Sequence, residues 1–359
     1  MKLPRITILA TLLLTAPAAA QLQITPPVAT PGAVPEKQKP KPAPAAKKEA
    51  APAPKPSASP KPAASPKPAL PATVIPAPAA DNPNVDLVFG AYQRGQYKTA
   101  FDLATARAQA GDPKAMTMLG ELYSNAMGIR RDYAKALEWY KRAADAGDRE
   151  AMFALAMLRI SGRGGSVDKS EAVKLMASAA KLGEPKAAYN LALLYLDGQT
   201  LPQDVKRSAE LLRQAADAGL PEAQYALATF YKEGTGVPKD PERSVRLLQA
   251  ASLADNVDAE VEYAIAMFNG TGTPKNQPAA VALLRKASRQ GSAIAQNRLA
   301  WVLINGLGTS VDKVEGFKWH LVAKTAGKGD PELDKQLSDL PAEDRGKAEA
   351  AARKWLGTK

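Results

Sequence analysis

From residue 111 onward, small, apolar and polar positions recur with a period of 36 residues. Six units start at Gly111, Gly147, Gly183, Gly219, Asp255 and Gly291, and Gly327 falls on the same register. Four residues into each unit stands Ala115, Ala151, Ala187, Ala223, Ala259 or Ala295. Eight residues in comes Leu119, Leu155, Leu191, Leu227, Tyr263 or Leu299, and nine in comes Gly120, Ala156, Ala192, Ala228, Ala264 or Ala300. Positions 4, 8, 11 and 12 of a unit share one face of a helix, and the tiny residues among them allow close helix–helix approach. This predicts a first helix, A, in each unit.

Position 15 is Gly162, Gly198, Gly234, Gly270 or Gly306, with Ala126 the exception, so helix A ends there and the chain turns. Position 21 is Asp132, Asp168, Asp204, Asp240, Asn276 or Asp312, a short acceptor suited to capping the next helix. Helix B follows, with Ala136, Ala172, Ser208, Ser244, Ala280 and Gly316 on its tight face. Its bulky contact reads as Trp139, Leu175, Leu211, Leu247, Leu283 or Trp319. Propensity, capping and turn chemistry thus agree on two antiparallel helices per unit. A period kept without an insertion over so many residues means one supersecondary unit stacked into a solenoid.

Segments such as GDPKAMTMLGELY, GLPEAQYALATFYKEGTGVPKD and DYAKALEWYKRAADAG resemble Sel1-like repeats, relatives of the tetratricopeptide repeat. The resemblance covers residues 111 to 326 as six tandem units. Arg159 stands where the family has a tyrosine in helix A, Thr200 replaces the second turn glycine, and Asp255 replaces a leading glycine. The expected fold is therefore all-α: an α/α solenoid, a right-handed superhelix of Sel1-like and tetratricopeptide-like hairpins, following a disordered N-terminal region. The resemblance implies adaptor or regulator roles in the cell envelope.

The ends read differently. Residues 1–20 have a short basic start (Lys2, Arg5), an apolar run from Ile6 to Leu14 and small residues at 18–20. That is the pattern of a secretory signal cleaved after about Ala20, and the expected location is the periplasm. A retained membrane anchor is the competing reading, although the apolar run is well short of the roughly 20 residues a spanning helix needs. The chain has no cysteine, which excludes a lipidated cysteine and any disulfide framework. Residues 21–80 hold 17 prolines among Ala, Lys and Ser and read as a disordered linker. Eight lysines there face only Glu36 and Glu49, so much of the chain's +12 net charge lies in this segment. The overall basicity is therefore no argument for nucleic acid, and no nucleic-acid partner is expected. A weak contact of the linker with an anionic envelope polymer or membrane is an alternative role for it. Residues 81–110 are expected to form a capping hairpin, and residues 327–359 a capping helix with Ala348, Ala351, Ala352 and Trp355 inward.

Catalytic chemistry finds little purchase. His320 is the only histidine and stands beside Trp319 in helix B of the sixth unit, so it reads as a packing or surface residue. GRGGSVDKS (162–170) and GTGVPKD (234–240) follow helices and lack a Gly-Lys-Ser/Thr ending, so they read as turns and not phosphate loops. No catalytic residue, metal ligand or cofactor is expected. One stripe goes beyond scaffolding. Positions 6, 10 and 13 of helix A lie away from the packed face. They place Phe153, Met157, Ile160, Tyr189, Leu193, Leu196, Tyr225, Ile265, Phe268, Trp301 and Ile304 in a candidate partner-binding groove. By resemblance to tetratricopeptide proteins this groove lines the concave face; the alternative is that curvature packs these residues against neighbouring A helices. The leading expectation is a non-enzymatic scaffold that binds an envelope protein or peptide. A cell-wall or glycan-associated protein or enzyme, and a structural spacer held by its basic linker, are the rival classes.

Overall fold

The computed structural model describes residues 86–357. The expected signal, the proline-rich linker and the first residues of the N-terminal hairpin lie outside the described residues. Within them the chain forms sixteen helices and no strand. A short hairpin comes first, α1 (Leu87–Gln93) and α2 (Tyr97–Gln109). The six A helices are α3 (Pro113–Asn125), α5 (Arg149–Ser161), α7 (Pro185–Asp197), α9 (Pro221–Glu233), α11 (Val257–Asn269) and α13 (Ala293–Asn305). They alternate with the B helices α4 (Tyr133–Asp145), α6 (Lys169–Lys181), α8 (Val205–Asp217), α10 (Pro241–Leu253), α12 (Gln277–Arg289) and α14 (Lys313–Thr325). Every one of these twelve is 13 residues long. Each packs mainly on the helix before it and the helix after it, which is how a solenoid buries faces that no single hairpin could cover.

The aspartates at position 21 cap the B helices. Asp204 Oδ1 accepts the amide of Arg207 at 2.9 Å, and Asp132, Asp168, Asp240, Asn276 and Asp312 repeat the contact at 2.8 to 3.1 Å. The sequence pattern left a second set of caps unread, one residue into each unit. Asp112, Asp148, Glu184, Asn256 and Ser292 accept amides in the first turns of their A helices, whereas Leu220 makes no such bond. Two of the departures in the turns keep the backbone of the other units, while Thr200 does not take the positive φ of Gly128, Gly164, Gly236, Gly272 and Gly308 at its place. Asp255 takes φ 58° and Ala126 takes φ 57°, the left-handed conformation that glycine holds at the corresponding places of other units.

The core is a stack of small clusters. Alanines at position 4 are almost fully buried, from Ala115 at 3% exposure to Ala151, Ala187, Ala223, Ala259 and Ala295 at 0%. The bulky contact of helix B sits at the predicted position in Leu211 (5% exposed) and Trp319 (3%), and one residue later in the other four units. Trp139, Leu175, Leu247 and Leu283 are half-buried, whereas Met176, Leu212 and Leu284 at the following position are among the most deeply buried large side chains. His320 occupies that core position in the last unit.

The C-terminal segment holds two helices where one was expected. α15 (Pro331–Ser338) inserts Leu333 fully into the core, and α16 (Ala342–Gly357) returns to pack on α14 through Ala348 and Ala352. α15 is a truncated A helix: Pro331 takes the place of the fixed alanine but serves as a first-turn proline, where a missing amide costs nothing. Trp355 meets Trp319 edge to face at 5.0 Å, and Lys318 Nζ stands 4.1 Å from the Trp319 ring centroid.

Candidate partner-binding face

The stripe at positions 6, 10 and 13 divides into two parts. Phe153, Met157, Ile160, Tyr189, Leu193, Leu196 and Tyr225 are half-buried. Most touch core residues with one edge: Phe153, Met157 and Ile160 pack beside Ala156, Ala172 and Met176, and Tyr189 and Leu196 beside the cluster of Ala192 and Leu212. Leu193 is half-buried yet belongs to none of the core clusters among the described residues. In units five and six the same positions are buried: Ile265 (9%), Phe268 (3%), Trp301 (8%) and Ile304 (6%) join the C-terminal core. In unit six the chain after α14 meets this face: Trp301 Nε1 donates to Asp330 Oδ2 at 2.9 Å and Asn297 Nδ2 donates to the Lys328 carbonyl at 3.2 Å, while Ile304 lies against Gly316. These four residues serve packing, which leaves the stripe open only over α5, α7 and α9.

Carboxylates flank the open part. Burial pushes the Tyr189 phenol above its ordinary value, with Glu222 adding to the effect. Burial does the same to Tyr225, helped by Glu262, Asp258 and Glu233. A cleft of about 340 Å³ adjoins the N-terminal end and is lined by Phe89, Tyr92, Thr117, Glu121, Asp148 and Glu150 among others. There Tyr92 Oη donates to Glu121 at 2.7 Å and Thr117 Oγ1 donates to Asp148 at 3.0 Å. A second cleft of about 490 Å³ follows on the C-terminal side, with Leu248, Ile265 and Ala266 as its apolar lining and the Lys232–Glu262 ion pair (2.7 Å) at its edge. Phe89, half exposed beside the first cleft, escapes the 36-residue register because it lies in the terminal hairpin.

His320 is fully buried. Its Nε2 lies 2.8 Å from Asp334 Oδ1 on α15, which also accepts from Lys324 Nζ at 2.8 Å. The imidazole thus ties the last hairpin to α15. Among the described residues no group of three or more histidines and carboxylates is placed to hold a metal ion, and no helix is long and apolar enough to cross a membrane.

Among the solved structures that resemble the solenoid are two with Sel1-type repeats. One is a protective antigen of uropathogenic Escherichia coli displaying an SLR fold, with a TM-score of 0.63 and 27% identity. The match covers 72% of this chain and 56% of that one, so the chain spans little more than half the antigen's length. The other is a Sel1 repeat protein from Oxalobacter formigenes, with a TM-score of 0.60, 27% identity and coverage of 67% of this chain and 98% of that one. No curated protein matches the chain. The family model of the Sel1 repeat matches residues 113–148, 149–184, 185–220, 221–256, 257–292 and 293–328, and with well over half of its length so accounted for, the chain belongs to the Sel1 repeat family.

Proposed function

We propose that the protein is a non-enzymatic scaffold of the bacterial cell envelope that holds a partner protein or peptide on its A-helix face. Sel1 repeat solenoids are in general protein-interaction scaffolds. One observation carries the placement of the site: the half-buried apolar stripe of Phe153, Met157, Ile160, Tyr189, Leu193, Leu196 and Tyr225 over three successive A helices, with Leu193 outside the core clusters. A contiguous apolar strip left open to solvent on a soluble fold is characteristic of a docking surface. The signal-like residues 1–20 support export, with a mature protein beginning near Gln21.

A photo-crosslinking residue at Leu193, and another at Lys174 on the opposite helix B, test the site in the producing cell. The reading requires a discrete adduct from position 193 that position 174 does not give. Equal labelling from both positions, or none from 193, rejects the A-helix face as the site. N-terminal sequencing of the protein from the periplasmic fraction tests export, and an intact Met1 on cytoplasmic protein rejects it.

A further inference from the structure

The B helices carry charge very unevenly against the A helices. The six B helices hold seventeen lysines and arginines against seven aspartates and glutamates, while the six A helices hold six against eight. Most of these cations are exposed, so small anions concentrate on the B-helix side. At one place on that side the repeat register brings two guanidinium groups together. Position 30 of one unit faces position 24 of the next across adjacent B helices. Between units five and six these are Arg285 and Glu315, and Arg285 Nη1 meets the two carboxylate oxygens at 2.8 and 2.7 Å. Between units three and four they are Arg213 and Arg243.

Arg213 and Arg243 converge on one atom between them, the phenol oxygen of Tyr231 at the end of α9. Arg213 Nη2 donates to it at 3.1 Å and Arg243 Nη1 at 3.4 Å. The Tyr231 residue is only 5% exposed, whereas both arginines are exposed. Asp240 Oδ2 takes Arg243 Nε at 3.1 Å while its Oδ1 caps α10, and no carboxylate among the described residues pairs with Arg213. Burial pushes the phenol up, but the hydrogen bonds from Arg243 and Arg213 outweigh it and leave it below its ordinary value. Two donated hydrogen bonds occupy both lone pairs of a phenol oxygen, so its own O–H remains to be donated. The result is two exposed guanidinium groups held side by side on one phenol oxygen, each with N–H donors left over, and a hydroxyl proton beside them.

We infer that Arg213, Arg243 and Tyr231 form a binding site for a phosphate group. Donors arriving from three side chains suit a tetrahedral anion with several acceptor oxygens. A bound phosphate also offsets the repulsion between two guanidinium groups that share one oxygen. The site lies on the B-helix side and is independent of the A-helix stripe.

The test uses the full chain with inorganic phosphate as the probe, titrated against chloride at constant ionic strength. Tyr231 is followed by NMR of tyrosine-labelled protein, with Tyr231→Phe assigning the resonance. The site predicts a saturable shift of the Tyr231 ring signals with phosphate and none with chloride. Arg213→Gln and Arg243→Gln each weaken the apparent affinity at least tenfold. Arg243→Glu recreates the Arg285–Glu315 pairing, so it retains the helical signal and abolishes the phosphate response. Co-sedimentation with phosphatidylglycerol vesicles distinguishes the source: capture lost in Arg213→Gln assigns a lipid headgroup, and a phosphate response without capture assigns a soluble phosphate. A Tyr231 response no larger than that to chloride, or one retained in both glutamine variants, overturns the site.

Discussion

Tyr140 lies over Gly120 so closely that a Cβ on residue 120 would stand 2.6 Å from its ring. The other five units have alanine at that place, opposite Met176, Leu212, Leu248, Leu284 or His320. The missing methyl group in the first unit is therefore the space the larger ring needs. Gly120→Ala should cost about 1–3 kcal/mol by overpacking, despite the better helix propensity of alanine. Combining it with Tyr140→Leu restores the pairing of the third unit and should recover most of the loss. Urea midpoints for the two variants decide the matter; an unchanged midpoint in Gly120→Ala refutes the contact.

Ala126 and Asp255 hold a backbone conformation that costs an L-residue roughly 1 kcal/mol and glycine little. Ala126→Gly and Asp255→Gly should each raise stability by up to about 1 kcal/mol, less the glycine's extra freedom in the unfolded chain. Asp255 also gives up its exposed contact with Lys286 at 3.5 Å, which is worth little. Chemical denaturation is the check, and a lowered midpoint in Ala126→Gly contradicts the strain.

Hydrogen bonds from Lys324 and His320 hold the Asp334 carboxyl below the usual carboxylate range. A depressed pKa contributes stability that is present above the unfolded value, about 3.9, and is lost as pH falls through the folded one. Docking of α15 should therefore weaken below about pH 4. Asp334→Asn should flatten the thermal midpoint between pH 5 and pH 2 relative to the parent protein. Parallel profiles for the two proteins rule out this contribution.

Ala187 is fully buried on helix A of the third unit. Ala187→Leu should cost about 1–3 kcal/mol, because a tightly packed alanine site has no room for a larger side chain. Leu193, six residues along the same helix, is half-buried and stands outside the clusters. Leu193→Glu should leave the far-ultraviolet circular dichroism unchanged and still abolish partner crosslinking from a photo-crosslinking residue placed at Tyr189 in the same variant, since an unpaired carboxylate in an apolar interface is costly. Unfolding by Leu193→Glu would place that residue in the core instead.

The helices, their 36-residue register and the capping aspartates of the B helices were legible in the sequence, because each depends on a few residues at fixed spacing along one chain. Small residues at positions 4 and 9 announced close packing before any neighbour was known. Which apolar residues stay open was not legible. Leu193 and Ile265 occupy the same position of their units, yet one is half-buried and the other is core. Ile265 joins a cluster that gathers Phe268, Leu284, Trp301 and Leu333 from several helices, whereas Leu193 joins no cluster among the described residues. The pairing of His320 with Asp334, and the meeting of Arg213 and Arg243 at Tyr231, also span separate helices. Helical periodicity determines which side of its own helix a residue occupies. What stands opposite that side is decided by how consecutive hairpins rotate and pack, so the burial of the stripe and the partners of its charged neighbours belong to the tertiary structure.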